Sequence, residues 1–559
     1  MEKSPTKTSN RGLTDPVAAL VGAGPGDPEL ITLAGATALA RAAVVIYDAL
    51  ANPQLLTHCA PDAELIYVGK RASEHTLTQD QINALLVEKC RELMADPNRA
   101  GRCVVRLKGG DPYVFGRGGE EGQFLADADI GFTVIPGITA GIAGPAYAGI
   151  PVTHRDCAST VTFITGHQRD MGTGKTSDAE TQEETAGVDY HALAKLGGTL
   201  VFYMGVKALP EITHRLIAGG MDAKTPAAVV RMATHPEQQT VVGTLENIAT
   251  IAREANIHAP AITIIGHVVS ARKQLNWFEN RPLFGQTVLV TRTRQQASEL
   301  GRRLELLGAR VIESPTIEIV NPTDSHAAYQ AISEMGDYDC VVFTSANGVR
   351  ATWEMMQIQN LDGRDFSAAV AAIGPSTAEA LREIGISPDV IADASIGEEL
   401  AEELIQIFGA DADGDVDAPA NTVGNLSGKR FLLLRAQVAR PALVTMLQQA
   451  GAEVNDVAVY QSRIPDALPT EATAALRAGK ISWITFTSAS TAKNLHAMLP
   501  EDLRQAVRKC RRISIGPMTS KALRELDWPP TAEAPEHNIP GMVDTLLTAI
   551  AENRNELSK

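Results

Sequence analysis

Short apolar runs, separated by glycine-rich turns and helix-forming segments, dominate the pattern of hydrophobic and polar positions along this chain of 559 residues. In the first half these runs occupy 17–21, 43–47, 65–68, 104–107 and 130–135. Runs of this length and composition predict buried strands, and the segments between them predict helices. Strands that alternate with helices indicate an α/β protein built on parallel sheets.

Two of the predicted strands end in glycine-rich loops. The run 17–21 leads into GAGPGDP at 22–28, and the run 104–107 leads into the consecutive glycines Gly109 and Gly110. Because glycine has no Cβ, a ligand can approach its backbone closely. Ligands of open α/β sheets bind at the carboxyl ends of the strands, so both loops are candidate binding loops. A tight strand-to-helix connection is the structural alternative.

Three charged residues follow strands of the same predicted sheet. Asp48 follows the run 43–47, Lys70 follows the run 65–68, and Asp111 follows the two glycines. In a parallel sheet all three would lie along one rim. As alternatives, Asp48 could cap a turn and Lys70 could be a solvated surface charge.

Nucleotide binding is a competing interpretation of the first half. The glycines at 22–26 are spaced GxGxG, however, whereas the dinucleotide fingerprint is GxGxxG. A later segment, 168–187, contains GTGKT, but a phosphate-binding P-loop needs glycine where this chain has Arg169. A nicotinamide oxidoreductase is therefore the weaker hypothesis, and ATP binding is not supported.

Composition restricts the remaining classes of function. The net charge is -16, and neither half has the basic excess that nucleic-acid binding usually needs. The six cysteines form no CxxC pair, so we predict no metal site, no disulfide framework, and a reduced, cytoplasmic protein. Residues 1–16 are polar and predict a disordered tail, and no apolar run is long enough to cross a membrane.

Two stretches of the first half resemble the uroporphyrinogen-III C-methyltransferases of the tetrapyrrole methylase family. They are VGAGPGDPELIT at 21–32 and CVVRLKGGDPYVFGRGGEE at 103–121. The resemblance implies that residues 17–275 bind S-adenosylmethionine and methylate uroporphyrinogen III at C2 and C7, which gives precorrin-2. It also implies two subdomains, at about 17–135 and 136–275, and a homodimer formed through this half.

The same resemblance implies roles for particular residues. Asp48 is the implied proton acceptor and Lys70 the implied proton donor. The implied cofactor contacts are Pro25, Gly109, Gly110, Asp111, Val114, Thr139, Ala140, Met204 and Ala233. Met204 taken alone would more often be a core residue.

The implied substrate is a polycarboxylate, so an acidic protein must offset its own charge locally. Arg117 and Arg155 are the candidate substrate-binding cations, although Arg155 could equally belong to an ordinary surface pair. Further cations that could contribute are Lys70, Arg71, Arg106, Lys108, Arg292, Arg294, Arg435 and Arg440.

The second half is internally duplicated. VLVTR at 288 corresponds to FLLLR at 431, and FTSA at 343 corresponds to FTSA at 486. IGPSTAEALREIG at 373 corresponds to IGPMTSKALRELD at 515, so the three spacings are 143, 143 and 142 residues. Each repeat alternates short strands with amphipathic helices, which predicts two similar α/β lobes around a cleft.

This half resembles the uroporphyrinogen-III synthases, through VFTSANGV, AAIGPSTAEAL, the VAVY that ends at Tyr460, and TFTSAS. The resemblance implies a synthase at 285–559, joined by a linker at 276–284, with one lobe from 285–318 plus 462–559 and the other from 319–461. The implied reaction removes water from hydroxymethylbilane and closes the ring with inversion of ring D.

In that reaction Tyr460 is the candidate acid. The structural alternative is that Tyr460 is a buried tyrosine whose hydroxyl forms a hydrogen bond with a backbone group. The candidate substrate-binding hydroxyl residues are Ser345, Thr377, Ser488 and Thr519. Their alternative role is turn and N-cap chemistry. For the whole half, a non-catalytic tetrapyrrole-binding module is the competing hypothesis, because a cleft lined with hydroxyls suits binding as well as catalysis.

Overall fold

A computed structural model of the protein describes residues 16–69, 77–166, 188–292, 294–392, 396–409 and 425–557. The chain divides into two compact units. Unit one comprises Met1–Gln286 and Glu305–Arg310, and unit two comprises Thr287–Leu304 and Val311–Lys559.

Unit one begins with a five-stranded parallel sheet in the order β3-β2-β4-β1-β5. Its strands are β1 (Ala18–Gly22), β2 (Ala42–Tyr47), β3 (Glu64–Tyr67), β4 (Cys103–Lys108) and β5 (Phe132–Ile135). The helices between them are α1 (Leu33–Ala40), α2 (Gln79–Ala95) and α3 (Gly118–Asp127). The α/β fold class is confirmed, and the carboxyl ends of all five strands lie along one rim.

Polar side chains fix where the first helices begin. Thr32 caps α1 by accepting a hydrogen bond from the Gly35 N–H. Thr78 and Gln81 form a capping box at the start of α2, in which each side chain accepts from the other residue's backbone N–H. These caps satisfy N–H groups that have no partner within the helix.

The second sheet of unit one is mixed, in the order β6-β7-β10-β8-β9. Its strands are β6 (Val161–Thr165), β7 (Thr199–Tyr203), β8 (Pro226–Arg231), β9 (Gln239–Thr244) and β10 (Ala261–Ile265), and its helices are α4 (Ala140–Tyr147), α5 (Tyr190–Leu196), α6 (Leu209–Ala218), α7 (Ile248–Glu254) and α8 (Arg272–Leu275). Only β6 and β7 pair in parallel. No strand was predicted over β9, because this edge strand is only partly buried and its apolar alternation is weak.

The segment 276–284, which was expected to join the two halves, packs within unit one. Phe278 and Leu283 are buried, and Trp277 donates its indole N–H to the Ala146 carbonyl at 3.0 Å. Glu279 pairs with Arg272.

Unit two contains two further sheets, in the orders β12-β11-β19-β20-β21 and β13-β18-β17-β14-β15-β16. The strands are β11 (Thr287–Val290), β12 (Arg310–Glu313), β13 (Glu318–Val320), β14 (Cys340–Phe343), β15 (Ala369–Ala372), β16 (Val390–Ile391), β17 (Arg430–Ala436), β18 (Glu453–Arg463), β19 (Trp483–Phe486), β20 (Arg511–Ser514) and β21 (Ala532–Glu533). The helices are α9 (Arg294–Leu306), α10 (Ser325–Ser333), α11 (Ala346–Ile358), α12 (Pro375–Glu383), α13 (Gly397–Gly409), α14 (Ala442–Gln449), α15 (Thr470–Arg477), α16 (Ala489–Met498), α17 (Glu501–Lys509), α18 (Pro517–Glu525) and α19 (Ile539–Leu557). One sheet thus takes strands from both ends of the unit, and the other takes strands from its middle.

The sequence repeats occupy equivalent structural positions. Ser345 and Ser488 each follow a buried strand and cap the next helix, α11 or α16. Pro375 and Pro517 each open a helix, α12 or α18, at its first turn.

We predict that Gly137→Ala destabilises unit one by about 1–3 kcal/mol. A Cβ at this position would lie 2.7 Å from the Gly22 Cα and closer still to the Gly110 carbonyl oxygen, and backbone atoms cannot rotate away. Calorimetric unfolding measures the loss. Gly131→Ala is the control, because a Cβ there meets nothing within 4 Å. Equal stability of the two variants would contradict the prediction.

Candidate active sites

Glycines bring three loops together at the rim of the first sheet. Gly24 and Gly110 exchange backbone hydrogen bonds of 3.2 and 2.7 Å, which joins the loops after β1 and β4. A Cβ on Gly22 would lie 2.5 Å from the Gly137 Cα, so the loop after β5 lies against the loop after β1. A Cβ on Gly109 would lie 2.4 Å from the Leu50 Cβ, so Gly109 packs directly on the Leu50 side chain. The backbone at this rim is therefore compact.

The Asp111 carboxylate ties two of these loops to each other. One oxygen accepts from the backbone N–H groups of Tyr113 and Val114 at 2.8 and 3.1 Å. The other accepts from the Gly137 N–H at 3.1 Å. Asp111 and Val114 thus lie beside Gly110, and the Asp111 side chain is engaged with the backbone.

Tyr203 connects the rim to the second sheet. Its hydroxyl lies 2.7 Å from Thr139 Oγ1 and accepts from the Gly141 N–H at 2.8 Å. Its ring packs against that of Phe115 with centroids 4.9 Å apart. Tyr203 was not among the predicted site residues, and its only sequence signal is its place at the end of an apolar strand, immediately before Met204. Burial raises the pKa of Tyr203.

Five non-glycine residues with left-handed backbone surround this region. They are Phe115 (φ 53°), Arg117 (59°), Met204 (54°), Met232 (48°) and Thr234 (70°). Such conformations are uncommon outside glycine and concentrate at functional sites, where surrounding contacts hold them. The Met204 side chain is not core, because 53% of the residue is exposed. Ala233 lies between two of the five.

Asp27, in the same loop as Pro25, fixes that loop to the second sheet. The Asp27 N–H donates to Thr234 Oγ1 at 2.9 Å, and the Tyr147 hydroxyl donates to the Asp27 carboxylate at 3.0 Å. His235 fills the space beside Gly26, where a Cβ would collide with its ring. Burial lowers the pKa of His235.

Asp48 lies at the rim, as predicted, and is held by two donors. Arg106 Nη2 lies 3.0 Å from one carboxylate oxygen, and the Leu50 N–H donates to the other at 3.1 Å. Lys70 and Arg71 lie outside the described residues.

The expectation that Arg106 and Lys108 offset substrate charge is wrong. Only 3% and 4% of these residues are exposed, and both side chains pair with the fully buried Glu121, at 3.1 and 2.8 Å. Burial lowers the pKa of Lys108. Two cations in a buried strand require a buried counter-charge, and that requirement is the signal from which Glu121 could have been predicted.

The two candidate substrate-binding arginines of unit one differ in their surroundings. Arg117 is half-exposed and makes two hydrogen bonds to Glu120, of 2.8 and 2.6 Å. Arg155 is exposed in the turn between His154 and Ala158.

In unit two, Tyr460 and Ser345 form one pair. Their hydroxyl oxygens are 2.9 Å apart, and Ser345 also caps α11 by accepting from the Gly348 N–H. Tyr460 ends a buried part of β18. The structure thus brings together two of the predicted residues.

The remaining candidates of unit two lie at helix starts. Ser488 caps α16 and lies 2.8 Å from Ser490 Oγ. Thr377 and Thr519 are buried at equivalent positions in α12 and α18. Among the described residues, no hydrogen bond links these side chains to Tyr460. Arg435, expected to meet substrate, instead pairs with Asp456 through two bonds of 2.6 and 2.5 Å.

Neither a metal cluster nor a membrane span occurs in the part of the chain that the structure describes. No group of three or more His, Cys, Asp or Glu side chains there is arranged to hold a metal ion. No helix in the same ranges is long and apolar enough to cross a membrane.

Two family models match the chain, one in each half. The model for tetrapyrrole (corrin/porphyrin) methylases matches residues 18–249, and that for uroporphyrinogen-III synthase HemD matches residues 298–544. The porphyrin biosynthesis protein HemD of Ruminiclostridium josui is 33% identical over 530 residues, which cover 95% of this chain and 97% of that protein.

Two further proteins are similar to the first half. The S-adenosyl-L-methionine-dependent uroporphyrinogen III methyltransferase of Methanosarcina barkeri is 49% identical over 250 residues, which cover 45% of this chain and 91% of that protein. The crystal structure of uroporphyrin-III C-methyl transferase from Thermus thermophilus, complexed with S-adenyl homocysteine, is 36% identical and covers 45% of this chain and 98% of that chain, with a TM-score of 0.36. The chain therefore belongs to the tetrapyrrole methylase family through its first half and to the uroporphyrinogen-III synthase family through its second, as a bifunctional protein of tetrapyrrole biosynthesis.

Proposed function

We propose that this chain performs two reactions of tetrapyrrole biosynthesis. Unit two dehydrates hydroxymethylbilane and closes it to uroporphyrinogen III with inversion of ring D. Unit one methylates that product at C2 and C7 with S-adenosylmethionine and yields precorrin-2. The observation that carries the proposal is the glycine rim of unit one, with Asp48 and Asp111 beside it. A homodimer and a cytoplasmic location stay predictions.

The residues at the rim fit S-adenosylmethionine. A Cβ on Gly110 would meet no atom closer than 3.8 Å, so a ligand can approach the backbone closely at this glycine. The exposed, left-handed Met204 adds an apolar contact next to this backbone. The proposed holding residues are Pro25, Gly109, Gly110, Asp111, Val114, Thr139, Ala140, Met204 and Ala233. When bound, the cofactor supplies a methyl group already activated by its sulfonium.

The chain's own residues position the tetrapyrrole and accept its proton. Methylation at carbon requires a proton to leave the macrocycle, and a positioned carboxylate is a suitable acceptor. Asp48 is our candidate, because its carboxylate lies at the rim and is oriented by Arg106 and the Leu50 N–H. Lys70 remains the proposed donor. Arg117 and Arg155 are the proposed contacts to substrate carboxylates.

In unit two, the paired hydroxyls of Tyr460 and Ser345 are proposed to act on the hydroxymethyl group. An electron-rich pyrrole readily expels the hydroxyl group of its hydroxymethyl substituent as water once a donor protonates that hydroxyl. Alignment of the substrate therefore matters more than a strong nucleophile. Ser345 holds the Tyr460 hydroxyl in place from the cap of α11. Thr377, Ser488 and Thr519 are the proposed substrate-binding residues.

The direct test uses the full-length protein with hydroxymethylbilane and labelled S-adenosylmethionine, followed by mass and isomer analysis of the tetrapyrrole. We expect a doubly labelled type III product. Unmethylated type III product, together with affinity for NAD and none for S-adenosylmethionine, would refute the methyltransferase assignment. Spontaneous type I product alone would show that unit two is a binding module.

We predict that Tyr203→Phe weakens S-adenosylhomocysteine binding about tenfold, because a lost hydrogen bond of about 1.4 kcal/mol no longer holds Thr139 and Gly141 at the start of α4. Isothermal titration calorimetry measures the affinity. Tyr190→Phe is the matched control, since Tyr190 is also buried in the second sheet's core but lies on α5. An unchanged affinity in Tyr203→Phe would contradict the prediction.

We predict that Tyr460→Phe lowers kcat for ring closure about 10- to 100-fold, because the pair with Ser345 loses its phenolic donor. Methylation of supplied uroporphyrinogen III by the same variant should be unchanged, which provides an internal control. Tyr338→Phe removes a comparable buried hydroxyl that accepts from Asn455 at 2.7 Å. Equal losses in the two variants would point to a structural role for Tyr460.

A further inference from the structure

Glu121 is a fully buried carboxylate at the first turn of α3, with 0% of its surface exposed. One oxygen, Oε1, accepts from Arg106 Nε at 3.1 Å, Lys108 Nζ at 2.8 Å and Gln79 Nε2 at 3.2 Å. The other, Oε2, is buried and has no hydrogen-bond partner among the described residues. Burial of a carboxylate and two cations is costly even when they pair with one another, so their presence in the interior needs an explanation.

Arg106 connects this buried carboxylate to the rim. Its Nη2 donates to Asp48 at 3.0 Å, while its Nη1 donates to the carbonyl oxygens of Ile46 and Leu107 at 3.3 and 2.9 Å. A guanidinium is planar and rigid, so the bond from Nε to Glu121 fixes the direction in which Nη2 points. The orientation of Asp48 thus depends on Arg106, and that of Arg106 depends on Glu121.

The four charges balance within this group. Arg106 and Lys108 are the cations, and Glu121 and Asp48 are the carboxylates. Two of the four lie on β4 and one follows β2, so the group spans adjacent strands and α3. Asp48 is the most exposed member, with 27% of its side chain accessible, and is the member that faces solvent.

We propose that Glu121 is a positioning residue for methyl transfer, which acts through Arg106 to hold the Asp48 carboxylate in the orientation that accepts the substrate proton. This inference rests on the proposed function of unit one. Lys108 is the second cation that contacts the Glu121 carboxylate, at 2.8 Å. Glu121 itself touches neither substrate nor cofactor.

A double-mutant cycle tests the proposal on the full-length protein, with kcat and KM for methylation of supplied uroporphyrinogen III as the readout. Glu121→Gln should lower kcat about tenfold and leave KM and the affinity for S-adenosylhomocysteine within about twofold. In the Asp48→Asn background, the same substitution should lower kcat less than about twofold, because its effect passes through Asp48. Glu121→Asp should restore part of the loss.

Ile130→Ala is the stability control, since Ile130 is buried in the apolar core of the same subdomain. Equal losses of kcat in the two Asp48 backgrounds, or a loss in Glu121→Gln no larger than that in Ile130→Ala, would overturn the role of Glu121 while leaving the proposed function intact. Absence of methylation by the unsubstituted protein would refute both. If Glu121→Gln does not fold, Arg106→Lys enters the same cycle, because it keeps the charge and loses the fork that joins Glu121 to Asp48.

Discussion

The close approach of three loops at the rim of the first sheet is the constraint on which the rest of unit one depends. Gly22 and Gly137 leave no room for a Cβ between the loops after β1 and β5, and Gly110 joins the loop after β4 to them through its backbone hydrogen bonds with Gly24. The Asp111 carboxylate holds the loops after β4 and β5 together by accepting hydrogen bonds from three backbone N–H groups. Because the loops are joined to each other, the side chains and backbone groups beside them are placed by rigid backbone rather than by flexible loops.

The second sheet is fastened to this rim by neutral hydrogen bonds. Tyr203 reaches the start of α4, and Thr234 holds the loop after β1 through the Asp27 N–H. Met204 and Thr234 both have left-handed backbone, which costs about 1–3 kcal/mol each where a fold must maintain it. Five of the nine non-glycine residues with left-handed backbone in the described ranges thus lie where the two sheets of unit one meet the rim, and the other four are Asp or Asn, which adopt this conformation more readily.

The sequence predicted the strands of the first sheet, their common rim and the positions of Asp48 and Asp111 along it, because glycine spacing and short apolar runs are local signals. Its repeats likewise indicated equivalent positions for Ser345 and Ser488, and the N-cap role that both residues adopt was the alternative to substrate binding. It did not predict β9, whose alternation is weak. It also missed Tyr203 and Glu121, whose roles depend on partners 64 and 15 residues away that only the fold brings into contact.

The surroundings of the cations near the candidate sites bear on how an acidic chain would bind the proposed polycarboxylate. Arg106, Lys108 and Arg435 were expected to face the substrate, but all three are buried and paired with carboxylates of the protein. Arg117 forms an ion pair with Glu120. A paired guanidinium has little charge left to offer, so the proposed contacts of Arg117 and Arg155 with substrate carboxylates need support from neutral donors, such as the hydroxyls at helix starts. Such donors bind a carboxylate without leaving an unpaired cation when the site is empty, and a buried unpaired cation is the costlier arrangement.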